Sequence, residues 1–318
     1  MRVKKASIWV LFRLLASAMF GVVIATIVFD LRLAEWSSDI HTYVANYDRY
    51  STYLSRSITG PIDFVLGEVP FHVVYEEIAR FLDDPYLALR IISFFSAATM
   101  FFLASGATSQ TLFIAFFILV HPRVLDMLAS QQRIALALAI ALIGVQASSR
   151  LLRWGLILGS ATLHTYVFNL AFVASGLWIR DLFESPKWRL SVLIAIGVLS
   201  IMLFVVAQQY ILATLGDRRA GIGEVRIGLY YMLMFAMTFS VIAFLDRKIW
   251  TELFGFLVIV SLLSAVVSVV LGLFWSRWIA LALVFLAMSG FLPRGQALLV
   301  FGGVYGMNLL LSYYYWLS

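Results

Sequence analysis

The chain lacks cysteine altogether, and only 13% of its residues are charged. Without cysteine there is no disulfide, no thiol nucleophile and no cysteine-based metal or redox centre. A soluble domain carries about 25% charged residues, so this composition excludes a sizeable soluble domain. The sequence also lacks a phosphate-binding loop and a glycine-rich dinucleotide fingerprint, which disfavours nucleotide-driven and nicotinamide-dependent enzymes.

Apolar residues, in contrast, make up 63% of the chain, and the mean hydropathy is +0.96. A helix crosses a bilayer with about 20 apolar residues and satisfies its own backbone hydrogen bonds there. The strict alternation of a membrane β-barrel is absent. The sequence therefore predicts one all-α integral membrane domain over residues 1–318, with about ten or eleven transmembrane helices. The predicted apolar stretches are 8–29, 86–104, 110–121, 133–147, 152–179, 190–212, 227–245, 250–274, 278–291 and 296–316.

A long polar segment, residues 30–85, separates the first helix, which we interpret as retained rather than cleaved, from the remaining helices at 86–316. Within it, apolar residues recur at helical spacing after Pro70. This spacing predicts an amphipathic helix lying at the membrane interface. The residues of its apolar stripe are Phe71, Val74, Ile78 and Leu82.

Basic residues in the short loops predict the orientation, since they gather on the cytoplasmic side. The basic N-terminal residues Arg2, Lys4 and Lys5 place the N-terminus there and segment 30–85 outside. The stretch 152–179 is either one tilted helix or two short helices that turn back at His164. Turning back puts more of the short-loop arginines and lysines on the cytoplasmic side, so we favour that alternative. The net charge of +6 is then an orientation signal, and no nucleic-acid partner is expected.

Three arginines lie at the ends of apolar stretches that this topology places at the outer face: Arg133, Arg226 and Arg277. An arginine at a membrane helix end either extends to the interface or binds an anion. Basic residues at the outer face oppose the orientation rule. An anionic substrate is therefore a candidate reason for their presence, and simple interfacial placement is the alternative.

The chain carries, in order, Asp39 with Tyr43 and Tyr47, a motif around Glu68, Arg133, His164, and Arg226 with Tyr230. Together these short motifs resemble those of the EpsG-like, Wzy-type polysaccharide polymerases. Asp39 with Tyr43 and Tyr47 resembles a D-x-x-x-Y element after the first helix, although serines replace the family's preceding glycine. The motif around Glu68 resembles a scrambled E-P-G-F element. The remaining matches are the helix start at Arg133, the element around His164, and Arg226 with Tyr230. The order of these elements holds over roughly residues 1–290.

The resemblance implies a glycosyltransferase of the GT-C architecture in the bacterial inner membrane, with its active site facing the periplasm or the outside. Such an enzyme joins oligosaccharide repeat units carried on undecaprenyl pyrophosphate. Its expected partners are the lipid-linked donor and acceptor, membrane lipid and, from the same pathway, a chain-length regulator and a flippase. No cofactor and no metal are expected.

The site residues follow from this chemistry. Arg133, assisted by Arg226 and Arg277, is expected to bind the pyrophosphate, because guanidinium groups donate paired hydrogen bonds and stay charged. His164 or Asp39 is expected to remove the proton of the acceptor hydroxyl. Their alternatives are a packing histidine and a solvated loop acid. The expected sugar-binding residues are Tyr43, Tyr47, Glu68 and Tyr230, although the tyrosines also fit an interfacial aromatic belt.

Two other functions remain open. A transporter or flippase of lipid-linked glycans would also bind pyrophosphate through arginines, but no internal repeat of the transporter kind is evident. A glycan ligase is a close chemical neighbour of a polymerase, and the sequence does not separate the two.

Overall fold

The computed structural model describes residues 2–35, 39–47, 60, 69–106, 108–215, 238, 252–271, 276–293 and 295–317. These residues form helices and short connections, and no strand occurs among them. In chain order the α-helices are α1 (Arg2–Val23), α2 (Phe29–Leu33), α3 (Asp39–Ala45), α4 (Val69–Leu82), α5 (Pro85–Ala104), α6 (Ser109–Leu119), α7 (Pro122–Ala129), α8 (Gln132–Gln146), α9 (Arg150–Leu163), α10 (Phe168–Asp181), α11 (Pro186–Leu215), α12 (Leu253–Val270), α13 (Ser276–Met288) and α14 (Gln296–Leu317).

Within these described ranges, four helical segments are long and apolar enough to cross a membrane: Ile8–Leu33, Pro85–Ala104, Leu253–Val270 and Gln296–Tyr314. The pair α6 and α7 makes a fifth if it forms one broken span. The all-α class is confirmed, and these segments are those of a protein that passes a membrane several times. The count of ten or eleven passes stays a prediction, and the stretch 227–245 lies outside the described residues apart from Thr238.

The chain groups into two compact units, each built from two stretches of sequence. Unit 1 comprises Met1–Ala107 and Leu125–Ala171, and unit 2 comprises Thr108–Val124 and Phe172–Ser318. Whether both belong to one integral domain, as the sequence predicts, stays a prediction.

In unit 1, α1 and α5 pack against each other with opposite directions. Near one end, Arg13 of α1 donates from Nε to Ser105 Oγ at 3.1 Å, just past the end of α5. Near the other end, Arg90 of α5 donates from Nη1 to the Ala25 carbonyl at 2.9 Å and forms an ion pair with Asp30. We call this second end, where α2, α3, α4 and the start of α8 also lie, the polar end of unit 1.

A π-helical segment, Ile24–Val28, joins α1 to α2 at the polar end. Here the Phe29 N–H reaches back five residues to the Ile24 carbonyl, so it bypasses the carbonyl of Ala25. Arg90 occupies that carbonyl, and its guanidinium lies 4.6 Å from the centre of the Phe29 ring. The irregular turn thus provides an acceptor that a regular α-helix would use itself.

The predicted amphipathic helix is present as α4, but its packed face differs from its apolar stripe. Phe71 is buried, whereas Val74 is exposed. The other buried positions of α4 include His72, Tyr75 and Glu76. Polar side chains inside and valines outside are the arrangement expected where the surroundings are lipid, because the polar groups then need protein partners.

In unit 2, α12 packs against α11 and α13, and α13 also packs against α6. Tyrosine hydroxyls of α14 contact the end of α6, where the helix stops before Pro122. Tyr305 donates to the Ile118 carbonyl at 3.1 Å, and Tyr313 donates to the Val120 carbonyl at 2.6 Å. These donors satisfy carbonyls that the end of a helix leaves without an intrahelical partner.

The stretch 152–179 is interrupted at His164, as one of the two sequence interpretations requires. The helix α9 ends at Leu163, and the 3-10 segment Thr165–Val167 precedes α10. His164 itself has extended backbone angles, with φ −159° and ψ 129°. The break is confirmed, whereas the reversal of the chain across the membrane stays a prediction.

Candidate functional site

The centre of the candidate site is a contact between two residues that the sequence predicts to be functional. Arg133 is the second residue of α8, and its Nε donates to the hydroxyl of Tyr43 at 2.8 Å. Its guanidinium carbon lies 5.5 Å from the centre of the Tyr43 ring. Ninety residues of sequence separate the two. The fold thus brings the D-x-x-x-Y element and the arginine element together.

Tyr43 is held by α3, whose first residue is Asp39. The four-residue spacing puts both side chains on one face of the helix, and both are buried, at 8% and 3% exposure. A carboxylate in the first turn is also favoured by the partial positive charge of the helix N-terminus. Asp39 is therefore a buried acid on the face that meets Arg133, not a solvated loop residue.

Aromatic rings of α3 and α4 surround Tyr43. Its ring centre lies 5.5 Å from that of Phe71 and 6.1 Å from that of Tyr75. Tyr47 meets Tyr75 edge to face at 6.3 Å. We call Tyr43, Tyr47, Phe71 and Tyr75, which pack against one another, the aromatic cluster. Clusters of this kind offer faces for stacking on sugars as well as apolar packing.

His72 lies beside this cluster, with its ring centre 6.1 Å from that of Tyr43 and 1% exposure. Burial, and then the nearby charge of Arg133, lower the pKa of His72 to about 2. The imidazole is therefore neutral at physiological pH. A neutral ring beside Arg133 adds a hydrogen-bonding group without repelling the guanidinium or competing with it for an anion.

An ion pair fixes the turn that leads into α8. Arg32 Nη2 lies 2.8 Å from Asp126 Oδ1, and both side chains are 13% exposed. The same carboxylate accepts hydrogen bonds from Ser130 Oγ at 2.9 Å and Gln131 Nε2 at 2.8 Å. Arg133 follows two residues later. The pair therefore ties the end of α2 to the turn that positions Arg133.

His164 is 2% exposed and closes α9. Its Nδ1 accepts the backbone N–H of Tyr166 at 3.2 Å. When Nδ1 accepts, a neutral ring carries its proton on Nε2. In this tautomer Nε2 carries the ring proton, and the choice between His164 and Asp39 as the base stays a prediction.

The other predicted site residues are placed differently. Arg277 is the second residue of α13, half-buried, and belongs to unit 2. Glu68, Arg226 and Tyr230 lie outside the described residues. The grouping of Arg133 with Arg226 and Arg277 therefore stays a prediction.

Among the described residues, no group of three or more His, Asp or Glu side chains is placed to hold a metal ion. The expectation of chemistry without metal or cofactor stays a prediction.

Sequence reasoning missed four residues at the polar end: Arg32, His72, Tyr75 and Asp126. One sequence signal could have found His72 and Tyr75. These two residues and Glu76 recur at helical spacing within α4. The pairing of Arg32 with Asp126 crosses 94 residues, and no periodicity in the sequence reports it.

Comparison with known proteins adds no relative to this picture. No protein-family model matches the chain, and no significant match is found to curated proteins or to solved structures. Function therefore has to be argued from the site.

Proposed function

We propose that the chain is a polysaccharide polymerase of the EpsG-like, Wzy type, a membrane glycosyltransferase of the GT-C architecture. It joins repeat units carried on undecaprenyl pyrophosphate at the outer face of a bacterial inner membrane. The polar end of unit 1 is its catalytic end. A single observation carries the proposal: Arg133 donates to Tyr43 of a separate motif of the resemblance, and Asp39 is buried one helical turn before Tyr43.

The chemistry needs a cation for the departing pyrophosphate. Arg133 supplies it from the N-terminus of α8, where the helix dipole also favours negative charge. Tyr43 orients the guanidinium through Nε. Arg226 and Arg277 assist in this proposal. Fixed donors aimed at developing charge contribute more to the rate of many enzymes than any other single effect.

The transfer step requires a base for the acceptor. An acceptor hydroxyl oxygen forms a bond to the anomeric carbon of the donor sugar, while the bond from that carbon to the pyrophosphate oxygen breaks. The hydroxyl proton passes to Asp39, and the polyprenyl pyrophosphate leaves with the electron pair of the broken bond. His164 donates from Nε2 to a sugar oxygen.

Elongation by purified protein tests the proposal. Wild-type protein in lipid vesicles, supplied with undecaprenyl-pyrophosphate-linked repeat units, is expected to produce longer glycans without nucleotide or ion gradient. Arg153→Ala provides a matched control, because this exposed arginine donates to the Ala147 carbonyl beyond the opposite end of α8. Failure of wild-type protein to elongate any repeat unit, with intact lipid-linked substrate recovered, would contradict the proposal.

A lipid-linked glycan transporter is the second candidate, and one observation favours it. The pair α6 and α7 forms a broken candidate span, and discontinuous membrane helices often hold transported substrates or ions. The same vesicles separate the two functions. A transporter moves labelled lipid-linked glycan between leaflets without changing its length, whereas a polymerase lengthens it in one leaflet.

A further inference from the structure

One buried hydroxyl in the aromatic cluster has no hydrogen-bond partner among the described residues. Tyr75 is 1% exposed, yet its hydroxyl meets no acceptor there. Buried hydroxyl groups nearly always have a partner, since leaving one without a partner forfeits its hydration. An orphan donor of this kind indicates a group that is bound only during function.

The position of Tyr75 shows what such a group has to be. Its ring stacks on Phe71 at 6.3 Å and meets Tyr47 edge to face at 6.3 Å. The ring of Tyr43, which holds Arg133, lies 6.1 Å away. A guest at this hydroxyl therefore lies against aromatic surface and close to the guanidinium. Sugars combine these needs, because they have apolar faces, oxygen acceptors and hydroxyl donors.

Tyr75 is also suited to donate. Burial, and then the neighbouring Tyr47, raise the pKa of Tyr75 well above its usual range, so the hydroxyl keeps its proton. A second orphan atom lies at the start of α8. Gln132 is fully buried, its Nε2 donates to the Ala129 carbonyl, and its Oε1 has no hydrogen-bond partner among the described residues. Oε1 of the neighbouring Gln131 also has no partner among the described residues. The polar end thus offers the Tyr75 donor and the two glutamine acceptors, and sugar hydroxyls can match them.

We propose that the Tyr75 hydroxyl binds an oxygen atom of the sugar next to the pyrophosphate, while Arg133 binds the pyrophosphate itself. This inference rests on the proposed function and adds a division of labour within its site. Tyr75 binds the sugar, and Arg133 binds the charged pyrophosphate.

Two probes separate these roles. One is undecaprenyl pyrophosphate without sugar, and the other is undecaprenyl pyrophosphate carrying N-acetylglucosamine. Binding is measured by titration calorimetry on the full chain in lipid nanodiscs. Tyr75→Phe keeps the ring and removes only the orphan hydroxyl. It is expected to weaken the glycosylated probe about fivefold to tenfold, as for one lost hydrogen bond, and to leave the bare probe unchanged.

Tyr305→Phe is the matched control, because its hydroxyl already donates to the Ile118 carbonyl in unit 2. It is expected to lower thermal stability and leave both affinities unchanged, whereas Tyr75→Phe leaves stability unchanged or raises it. Arg133→Ala is expected to weaken both probes.

The outcomes are distinguishable. Unchanged affinity of Tyr75→Phe for both probes overturns this inference and leaves the proposed function intact. An equal loss of affinity for both probes also overturns this inference, since the hydroxyl then makes no contact that depends on the sugar. If wild-type protein binds neither probe, the proposed function fails and this inference fails with it.

Discussion

The two units bury polar side chains in different ways. Unit 1 concentrates charge at its polar end, where Arg133, Asp39 and the Arg32–Asp126 pair lie with the Tyr75 hydroxyl and the side-chain oxygens of Gln131 and Gln132, which have no hydrogen-bond partner in the described part of the chain. Unit 2 buries a neutral set around Asn308, whose members hydrogen-bond to one another or to the backbone.

The neutral set in unit 2 has a structural role. Asn308 donates to Thr238 at 3.5 Å and accepts from Ser312 at 3.2 Å. His121, between α6 and α7, is fully buried, and its Nδ1 accepts the Arg123 N–H at 3.2 Å. This network, with Tyr305 and Tyr313, holds α14 on the end of α6. The comparison thus sets the buried charge that the proposed site requires in unit 1 against a neutral hydrogen-bonded network that joins helices in unit 2.

The sharpest way to break this comparison is to remove the charge of Arg133. Arg133→Ala is expected to reduce the elongation rate by about 10²–10³-fold, the usual effect of losing one fixed donor at developing charge. Elongation of lipid-linked repeat units by purified protein measures it. The control Arg153→Ala should keep the wild-type rate, and an equal loss in both variants would assign the effect to general damage.

The ion pair that positions the start of α8 is expected to have the next largest effect. Asp126→Ala removes the more buried of the two carboxylate partners of Arg32, the other being Glu35, and it removes the acceptor of Ser130 and Gln131. We expect a loss of about 3 kcal/mol in the free energy of unfolding, measured by denaturant titration in mixed micelles. Glu77→Gln disrupts the exposed Arg80–Glu77 pair and is expected to cost at most about 0.5 kcal/mol. Similar losses would show that the buried pair has no special role.

Unit 2 supplies the complementary prediction. Asn308→Leu removes the hydrogen-bond partner of Ser312 and Thr238 inside the unit, so it should lower the free energy of unfolding by about 2 kcal/mol. Elongation per folded molecule should stay at the wild-type level, because the network has no part in the proposed chemistry. A selective loss of elongation with unchanged stability would place function in unit 2 and undo the comparison.

The smallest expected effect is on how the free energy of unfolding depends on pH. The unfolded chain protonates His72 below its ordinary pKa of 6.5, whereas the folded chain keeps it neutral down to about pH 2. The unfolded state therefore binds more protons between these values, so the contribution of His72 to stability is complete above pH 6.5 and falls as the pH decreases. The loss amounts to at most about 1.4 kcal/mol per pH unit.

His72→Gln should consequently lose less stability than wild type when the pH is lowered from about 7 to about 5.5. Denaturant titration at each pH measures the difference. His41→Gln, a change at a half-buried histidine that hydrogen-bonds to the Leu33 carbonyl, is the control. A His72→Gln variant with the same acid dependence as wild type would contradict a neutral, buried His72.

Much of the helical framework could be predicted from the sequence. Outside 227–245, each predicted apolar stretch coincides with a helix in the described residues, and the break at His164 is where a polar residue interrupts an apolar run. Hydropathy and helical periodicity are local, so a single chain reports them. The packed face of α4 was harder to predict, because it is set by the contacts of α4 with α5 and α9.

The candidate site was only partly predictable. Arg133 could be named as a candidate because a charged residue at the end of an apolar stretch is costly to bury, and Asp39 and Tyr43 could be named from the resemblance of their motif. Their contact could not, and neither could the orphan hydroxyl of Tyr75, which becomes visible only once every nearby donor and acceptor has been placed.

By itself, the sequence determined that this chain is helical and suited to a membrane, because apolar content and its period act over a few residues at a time. Only the tertiary structure decided which distant residues meet: Arg133 with Tyr43 across 90 positions and Arg32 with Asp126 across 94. The physical reason is that such contacts depend on how whole helices pack. Packing is a property of many surfaces together and leaves no local pattern in the chain.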